Sequence, residues 1–76
     1  MKADKNLEAR GLACIDLTPK VKIALSEIQS GQVLEVLSDD SSAREGIPAW
    51  CRLTGHSLIN SEKINTDETL FYIQKK

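Results

Sequence analysis

The sequence predicts an α/β (α+β) two-layer sandwich with the element order βαβαββ, in which a four-stranded mixed sheet carries two helices packed on one face. Three observations lead to this fold. Two segments have apolar residues at helical spacing, four short segments are typical of strands, and a chain of 76 residues allows only one small core. Because each helix has a single apolar stripe, packing both helices on one sheet face is the simplest way to bury all of the elements.

The first half of the chain predicts a strand, a helix and a second strand. Asn6 to Gly11 is a short alternating segment, and Val33 to Leu37 is rich in β-branched and aliphatic residues, as strands are. Between them, Pro19 to Gln29 is predicted to be an amphipathic helix that ends near Gly31. Its apolar residues recur at i, i+3, i+4 and i+7: Val21, Ala24, Leu25 and Ile28. This order predicts a right-handed crossover between parallel strands.

The second half predicts a helix followed by a hairpin. Apolar residues return to helical spacing from Ala43 up to Gly55, and Pro48 allows this helix to come in two pieces. The final strands are predicted in "HSLINSEK" and "TLFYIQKK", and the intervening "INTDE" is typical of a hairpin connection. We expect a single domain over residues 1–76, with residues 1–5 disordered.

Composition excludes several classes of function. A net charge of −1 and only three aromatic residues disfavour direct nucleic-acid binding. No apolar run is long enough to cross a bilayer and no secretory signal is visible, so we expect a cytoplasmic protein that does not bind membranes. Two cysteines are too few for a disulfide framework and are expected to be reduced. We expect no metal and no cofactor.

Three motifs resemble those of the TusA-like sulfur-carrier proteins, also called the SirA or YedF type. They are "LEARGLAC" before an amphipathic helix, "SGQVLEVLSDD", and "IPAWCRLTGHSL". In that family, a strand leads through Gly-Leu-x-Cys into the first helix, and Ile-Pro-x-aromatic-Cys-x-x-x-Gly-His opens the final third. The resemblance extends from about Leu7 to Ile73.

The resemblance implies that Cys14 carries sulfur as a persulfide. It also implies a sulfur-donor protein, such as a cysteine desulfurase, and a sulfur-acceptor protein as partners. The destinations in the family include tRNA thiolation, molybdenum-cofactor maturation and sulfur oxidation, and the sequence does not choose among them. The family motif is Cys-Pro-x-Pro, whereas Cys14 is followed here by Ile15, Asp16 and Leu17. The alternative is therefore a non-catalytic interaction or regulatory module that keeps the fold, with Cys14 as a loop cysteine.

The predicted reactivity of Cys14 depends on where the first helix begins. If Asp16 is the N-cap, Cys14 lies two residues before the cap, close to the free amides that stabilise a thiolate. If Thr18 is the N-cap and Pro19 takes the first helical position, Cys14 lies four residues outside the helix and this effect is weaker. The Asp16 carboxylate opposes ionisation of a nearby thiol. Arg10 and Lys20 are candidates for offsetting it.

The remaining candidate residues have structural interpretations as the first choice. Cys51 and Trp50 are expected in the core of the second helix, and His56 is expected to be a hydrogen-bonded support at a strand start. Arg10, Lys20 and Lys22 are candidates for steering an acidic partner towards Cys14. We expect a monomer, with a dimer as the alternative if one sheet face stays free of helices. That face would contain Val33, Leu37, Leu70 and Tyr72.

Overall fold

The fold is a four-stranded sheet with two helices, seen in a computed structural model that describes residues 3–76 and, of Cys14, the backbone only. The elements are β1 (Lys5–Glu8), α1 (Cys14–Ser26), β2 (Val33–Ser38), α2 (Ala43–Thr54), β3 (Ser57–Lys63) and β4 (Thr69–Gln74). The strand order is β1-β2-β4-β3. β1 and β2 are parallel and the other two pairs are antiparallel. The predicted fold class and the parallel crossover are confirmed.

The core lies between the helices and one face of the sheet. β2 alternates between buried and half-buried residues, as expected when only one face of a sheet is covered. The helices add their apolar stripes to this layer. The fully buried members of the core are Ala9, Leu17, Val21, Leu34, Val36, Ala43, Ile47 and Ile73.

The opposite sheet face contains the apolar residues predicted for it. In the strand register, Leu37 pairs with Leu70 and Glu35 pairs with Tyr72. Tyr72 is only 4% exposed although no helix covers it. Burial, followed by the nearby carboxylates of Glu35 and Glu62, raises the pKa of Tyr72. Neighbouring side chains of the sheet therefore cover most of this ring.

Several predicted boundaries are wrong. The first strand is shorter than Asn6 to Gly11, since it ends at Glu8. The first helix is Cys14–Ser26 rather than Pro19 to Gln29, and Gly31, although left-handed with φ +87°, lies in the turn beyond its end. The second helix is continuous, so Pro48 does not divide it.

The prediction that residues 1–5 are disordered is wrong for Asp4 and Lys5. Lys5 begins β1, and the Asp4 backbone N–H donates to the carbonyl of Val33 at 2.8 Å. Met1 and Lys2 lie outside the described residues. Lys5 also forms an ion pair with Glu27 of α1 at 3.3 Å.

Candidate functional site around the start of the first helix

Cys14 is the first residue of α1. Both predicted starting points for the helix, Asp16 and Thr18, are wrong, because the helix begins earlier than either. Ala13 is the N-cap, with an extended backbone at φ −71° and ψ 160° and no side-chain cap. Its carbonyl accepts the amides of Asp16 at 2.9 Å and Leu17 at 2.8 Å. Cys14 is thus placed in the first helical turn, where free amides and the helix dipole favour an anion.

The helix can begin this early because Leu17 is buried on its inner side. Leu17 and Val21 are four residues apart, so they extend the apolar stripe backwards beyond Pro19. Pro19 is then the sixth helical residue instead of the first or third. A proline at this position removes only the bond to the carbonyl of Ile15, near the helix terminus. Burial of Leu17 therefore outweighs the loss of one hydrogen bond.

The segment before Cys14 is connected to the end of β2. β1 and β2 are parallel, so the chain leaves both strands at the same end of the sheet. The Ala9 N–H donates to the carbonyl of Leu37 at 2.8 Å. Two residues later, the Gly11 N–H donates to Oδ1 of Asp39, also at 2.8 Å. Gly11 has φ +83°, in the left-handed region that favours glycine.

The β3–β4 hairpin forms the other side of this end of the sheet. Arg10 pairs with Glu8 and also with Glu68 of the hairpin, with Nη1 and Oε2 3.4 Å apart. These pairings raise the pKa of Arg10, chiefly through the Glu8 hydrogen bond. An open groove of about 450 Å³ lies here, lined by Arg10, Asp39, Asn65, Thr66, Asp67 and Glu68. Its mouth is polar and wide, which does not resemble an enclosed small-molecule pocket.

The outer side of α1 carries two of the predicted steering residues. Lys20 and Lys22 are exposed, and neither forms an ion pair within the described part of the chain. Two apolar residues share this side, since Ile15 is 81% exposed and Ile23 is 61% exposed. The helical spacing used to predict α1 missed both of these residues because they belong to no inward stripe.

Cys51 is a core residue, as predicted. It is 2% exposed and is a free thiol. Burial raises its pKa to about 11, so it stays protonated near neutral pH. Deprotonation is what makes a thiol a nucleophile, and Cys51 is therefore poorly suited to that role.

His56 is a hydrogen-bonded support, also as predicted. Its Nδ1 accepts the backbone N–H of Lys76 at 3.1 Å, and its ring stacks on Trp50 with centroids 5.6 Å apart. Burial and the positive charges of Lys75 and Lys76 lower its pKa. Trp50 is half-buried against the core. Both residues thus hold α2 against the adjoining β3 and the C-terminal segment.

The fold and the site together define a small two-layer domain with a cysteine at the start of the helix that follows its first strand. A solved SirA-like protein from Desulfitobacterium hafniense has the same fold, with a TM-score of 0.79 over 92% of this chain and 95% of that one. Its sequence identity is 21%, so this similarity concerns the fold. Within the described residues, no helix is long and apolar enough to cross a membrane.

The chain belongs to the TusA family. The family description "Sulfurtransferase TusA" matches residues 5–75. A candidate sulfur carrier protein, YrkI of Bacillus subtilis strain 168, is 42% identical over 76 residues, which are 99% of each chain. The sulfur carrier protein TusA of Buchnera aphidicola is 38% identical over 78 residues, covering 99% of this chain and 95% of its own. The resemblance predicted from the motifs is confirmed.

Proposed function

We propose that the protein is a sulfur carrier that holds sulfane sulfur as a persulfide on Cys14. It takes the sulfur from a donor protein, such as a cysteine desulfurase, and passes it to an acceptor protein. The observation that carries this proposal is the position of Cys14 on the first residue of α1, in a chain of the TusA family. A helix start favours a thiolate, and a thiolate is the form that attacks a persulfide.

The transfer requires no external oxidant. The Cys14 thiolate attacks the outer sulfur of the donor's persulfide, a new S–S bond forms, and the donor's S–S bond breaks to release the donor as a thiolate. The sulfane sulfur keeps its oxidation state and changes only its cysteine partner. The acceptor thiolate then attacks the outer sulfur on Cys14 and regenerates the Cys14 thiolate.

The shape of the site favours protein partners. The groove beside the loop is open and polar, and the exchange needs only two sulfur atoms to meet. We propose that Lys20 and Lys22 attract an acidic surface of a partner, because both are exposed on the outer side of α1. Arg10 stays a weaker candidate, since its charge already faces Glu8 and Glu68. A reduced Cys51 fits the reducing cytoplasm as the compartment of action.

Mass spectrometry of the protein tests the proposal directly. The purified chain is incubated with a cysteine desulfurase and cysteine, and its mass is recorded without a reductant. We expect a gain of one sulfur atom that a reductant removes. Cys14→Ser should gain none, whereas the matched control Cys51→Ala should gain sulfur, because Cys51 is buried and protonated.

The proposal is wrong if several desulfurases and a chemical persulfide donor leave the wild-type protein without added sulfur. That result would favour the non-catalytic interaction module, for which the missing motif prolines after Cys14 are the supporting observation. The module makes a prediction of its own. A partner captured by the wild-type protein would be captured equally well by Cys14→Ser.

A further inference from the structure

The end of the sheet near Cys14 has a cross-strand bond that no strand pairing requires. β2 ends at Ser38, and Asp39 is the next residue. Its carboxylate continues the contacts between the two parallel strands by accepting the Gly11 N–H at 2.8 Å. A hydrogen bond to a charged acceptor is stronger than one to a neutral acceptor. The chain from β1 to α1 is therefore held at a point three residues before Cys14.

The bond acts on a segment with little freedom left. Ala9 is tied to β2 through the carbonyl of Leu37, and Ala13 accepts the first amides of α1. Gly11 lies between these two points with φ +83°. Its N–H direction fixes how the chain turns from the sheet into the helix. Releasing Gly11 would leave the turn free between Ala9 and Ala13, directly before the cysteine.

The opposite end of the same strand pair has a counterpart without a cysteine nearby. There the Val33 N–H donates to Oδ2 of Asp4 at 2.9 Å. Both bonds join an exposed aspartate of one segment to a backbone amide of the neighbouring one. They differ in the element that the held amide leads into, since Gly11 precedes α1 whereas Val33 begins β2. Asp4 therefore provides a matched control for Asp39.

We propose that Asp39 is a positioning residue for Cys14. Its carboxylate holds the Gly11 N–H and so sets the geometry at which the loop delivers Cys14 to the first turn of α1. This inference rests on the proposed function for its meaning, although the bond and the thiol's reactivity can be measured without it. Asp39 exchanges no proton and does not touch the sulfur being transferred.

Two substitutions separate the bond from the charge. Asp39→Ala removes both the carboxylate charge and the hydrogen-bond acceptor. Asp39→Asn removes the charge but keeps an oxygen that accepts the Gly11 N–H. Any long-range effect of the lost charge on the Cys14 thiolate is common to both variants. A difference between them reports the bond to Gly11.

The first measurement is the initial rate of sulfur loading from a desulfurase. Asp39→Ala is expected to load about tenfold more slowly, since an exposed charge-assisted hydrogen bond of this kind contributes about that factor. Asp39→Asn should recover most of the lost rate. Asp4→Ala is expected within about twofold of the wild type, even if it loses similar stability in urea.

The second measurement is the pH profile of Cys14 alkylation, recorded in a Cys51→Ala background. Its midpoint is expected to be higher in Asp39→Ala than in Asp39→Asn, because only the former loses the geometry that places the thiol near the helix amides. Amide hydrogen exchange at Gly11 should accelerate in Asp39→Ala and much less in Asp39→Asn. Asp4→Ala should change neither the midpoint nor the Gly11 exchange.

Equal alkylation midpoints for Asp39→Ala and Asp39→Asn would overturn the inference. So would normal sulfur loading by Asp39→Ala once its Gly11 amide is seen to exchange faster. These results differ from a failure of the proposed function, in which the wild-type protein itself gains no sulfur. In that case, the alkylation midpoints still decide whether Asp39 positions Cys14.

Discussion

The two helices contain the same special residues and use them differently. Each has one cysteine, and each has a proline as its sixth residue, Pro19 in α1 and Pro48 in α2. In α1 the cysteine is the first residue, and apolar residues are found on both the inner and the outer side. In α2 the cysteine lies in the third turn, and the buried residues Ala43, Ile47 and Cys51 all face inward.

This comparison shows that position within a helix decides what a thiol can do. Cys51 lies among apolar neighbours that raise its pKa to about 11, so its sulfur serves as a small apolar group. A thiol on the first residue of a helix has free amides beside it. The inward stripe of α2 contributes to the core, whereas α1 contributes both to the core and to the candidate site.

The largest expected effect is in thiol alkylation. At pH 8, a thiol with a pKa of about 11 is about 0.1% ionised, whereas one near the ordinary value of 8.5 is about a quarter ionised. We expect Cys14 in Cys51→Ala to be alkylated at least about 100-fold faster than Cys51 in Cys14→Ser. Rates are followed by mass spectrometry of the folded variants. Similar rates would erase the proposed difference between the two cysteines.

Core truncation gives the next largest effect. Ile47→Ala in α2 is expected to lower the free energy of unfolding by about 2–5 kcal/mol, because Ile47 is fully buried. Ile23→Ala in α1 should change it by no more than about 0.5 kcal/mol, since Ile23 is 61% exposed. Urea unfolding measures both. If Ile47→Ala does not fold, Ile47→Val should cost about 0.5–1.5 kcal/mol, and a cost for Ile23→Ala above that of Ile47→Val would contradict the comparison.

The helix ends are expected to differ by less. α2 ends at Gly55 with φ +86°, where the Gly55 N–H bonds the carbonyl of Cys51, whereas α1 ends at Glu27 with φ −89°. Gly55→Ala should cost about 1–2 kcal/mol, because a side chain disfavours the left-handed region. The control Glu27→Ala should cost about 0.5 kcal/mol or less, since it loses only an exposed ion pair. Equal costs in thermal unfolding would argue against the left-handed cap.

The smallest expected effect is a pH dependence at the end of α2. The native pKa of His56 is lowered, so below about pH 7 the unfolded chain binds more protons and the native state loses stability as the pH falls. Trp50 stacks on His56 and is the single tryptophan. Its fluorescence should therefore titrate with a midpoint below the ordinary 6.5. His56→Gln should give a flat signal, and a midpoint above 6.5 in the wild type would contradict the predicted direction.

The sequence predicted the architecture because burial has a period that can be read from residue types. Val21, Ala24, Leu25 and Ile28 identified the inner side of α1, and the alternation in β2 identified its buried face. The start of α1 was missed because Pro19 suggested a helix terminus. One buried leucine, Leu17, outweighs that local preference, and its burial depends on tertiary packing that the local pattern does not contain.

The candidate site was only half predictable for a similar reason. Cys14 was identified from the motif before the helix, but the role of Asp39 was not. The sequence "SDDSS" indicated that its aspartates bind backbone amides, without indicating which ones. Asp40 caps its own turn by accepting the N–H of Ser42 at 3.3 Å, whereas Asp39 binds Gly11, 28 residues earlier. Only the parallel pairing of β1 and β2 brings these two residues together.

The missing motif prolines have a further consequence for the segment before α1. Proline after the cysteine would restrict the chain in the unfolded state as well as in the native one, and would stabilise the turn through unfolded-state entropy. The bond from Asp39 to Gly11 exists only in the folded protein and leaves the unfolded chain unrestricted. This turn can therefore open by a local unfolding event while the sheet stays intact, and the population of the open form depends on a single carboxylate.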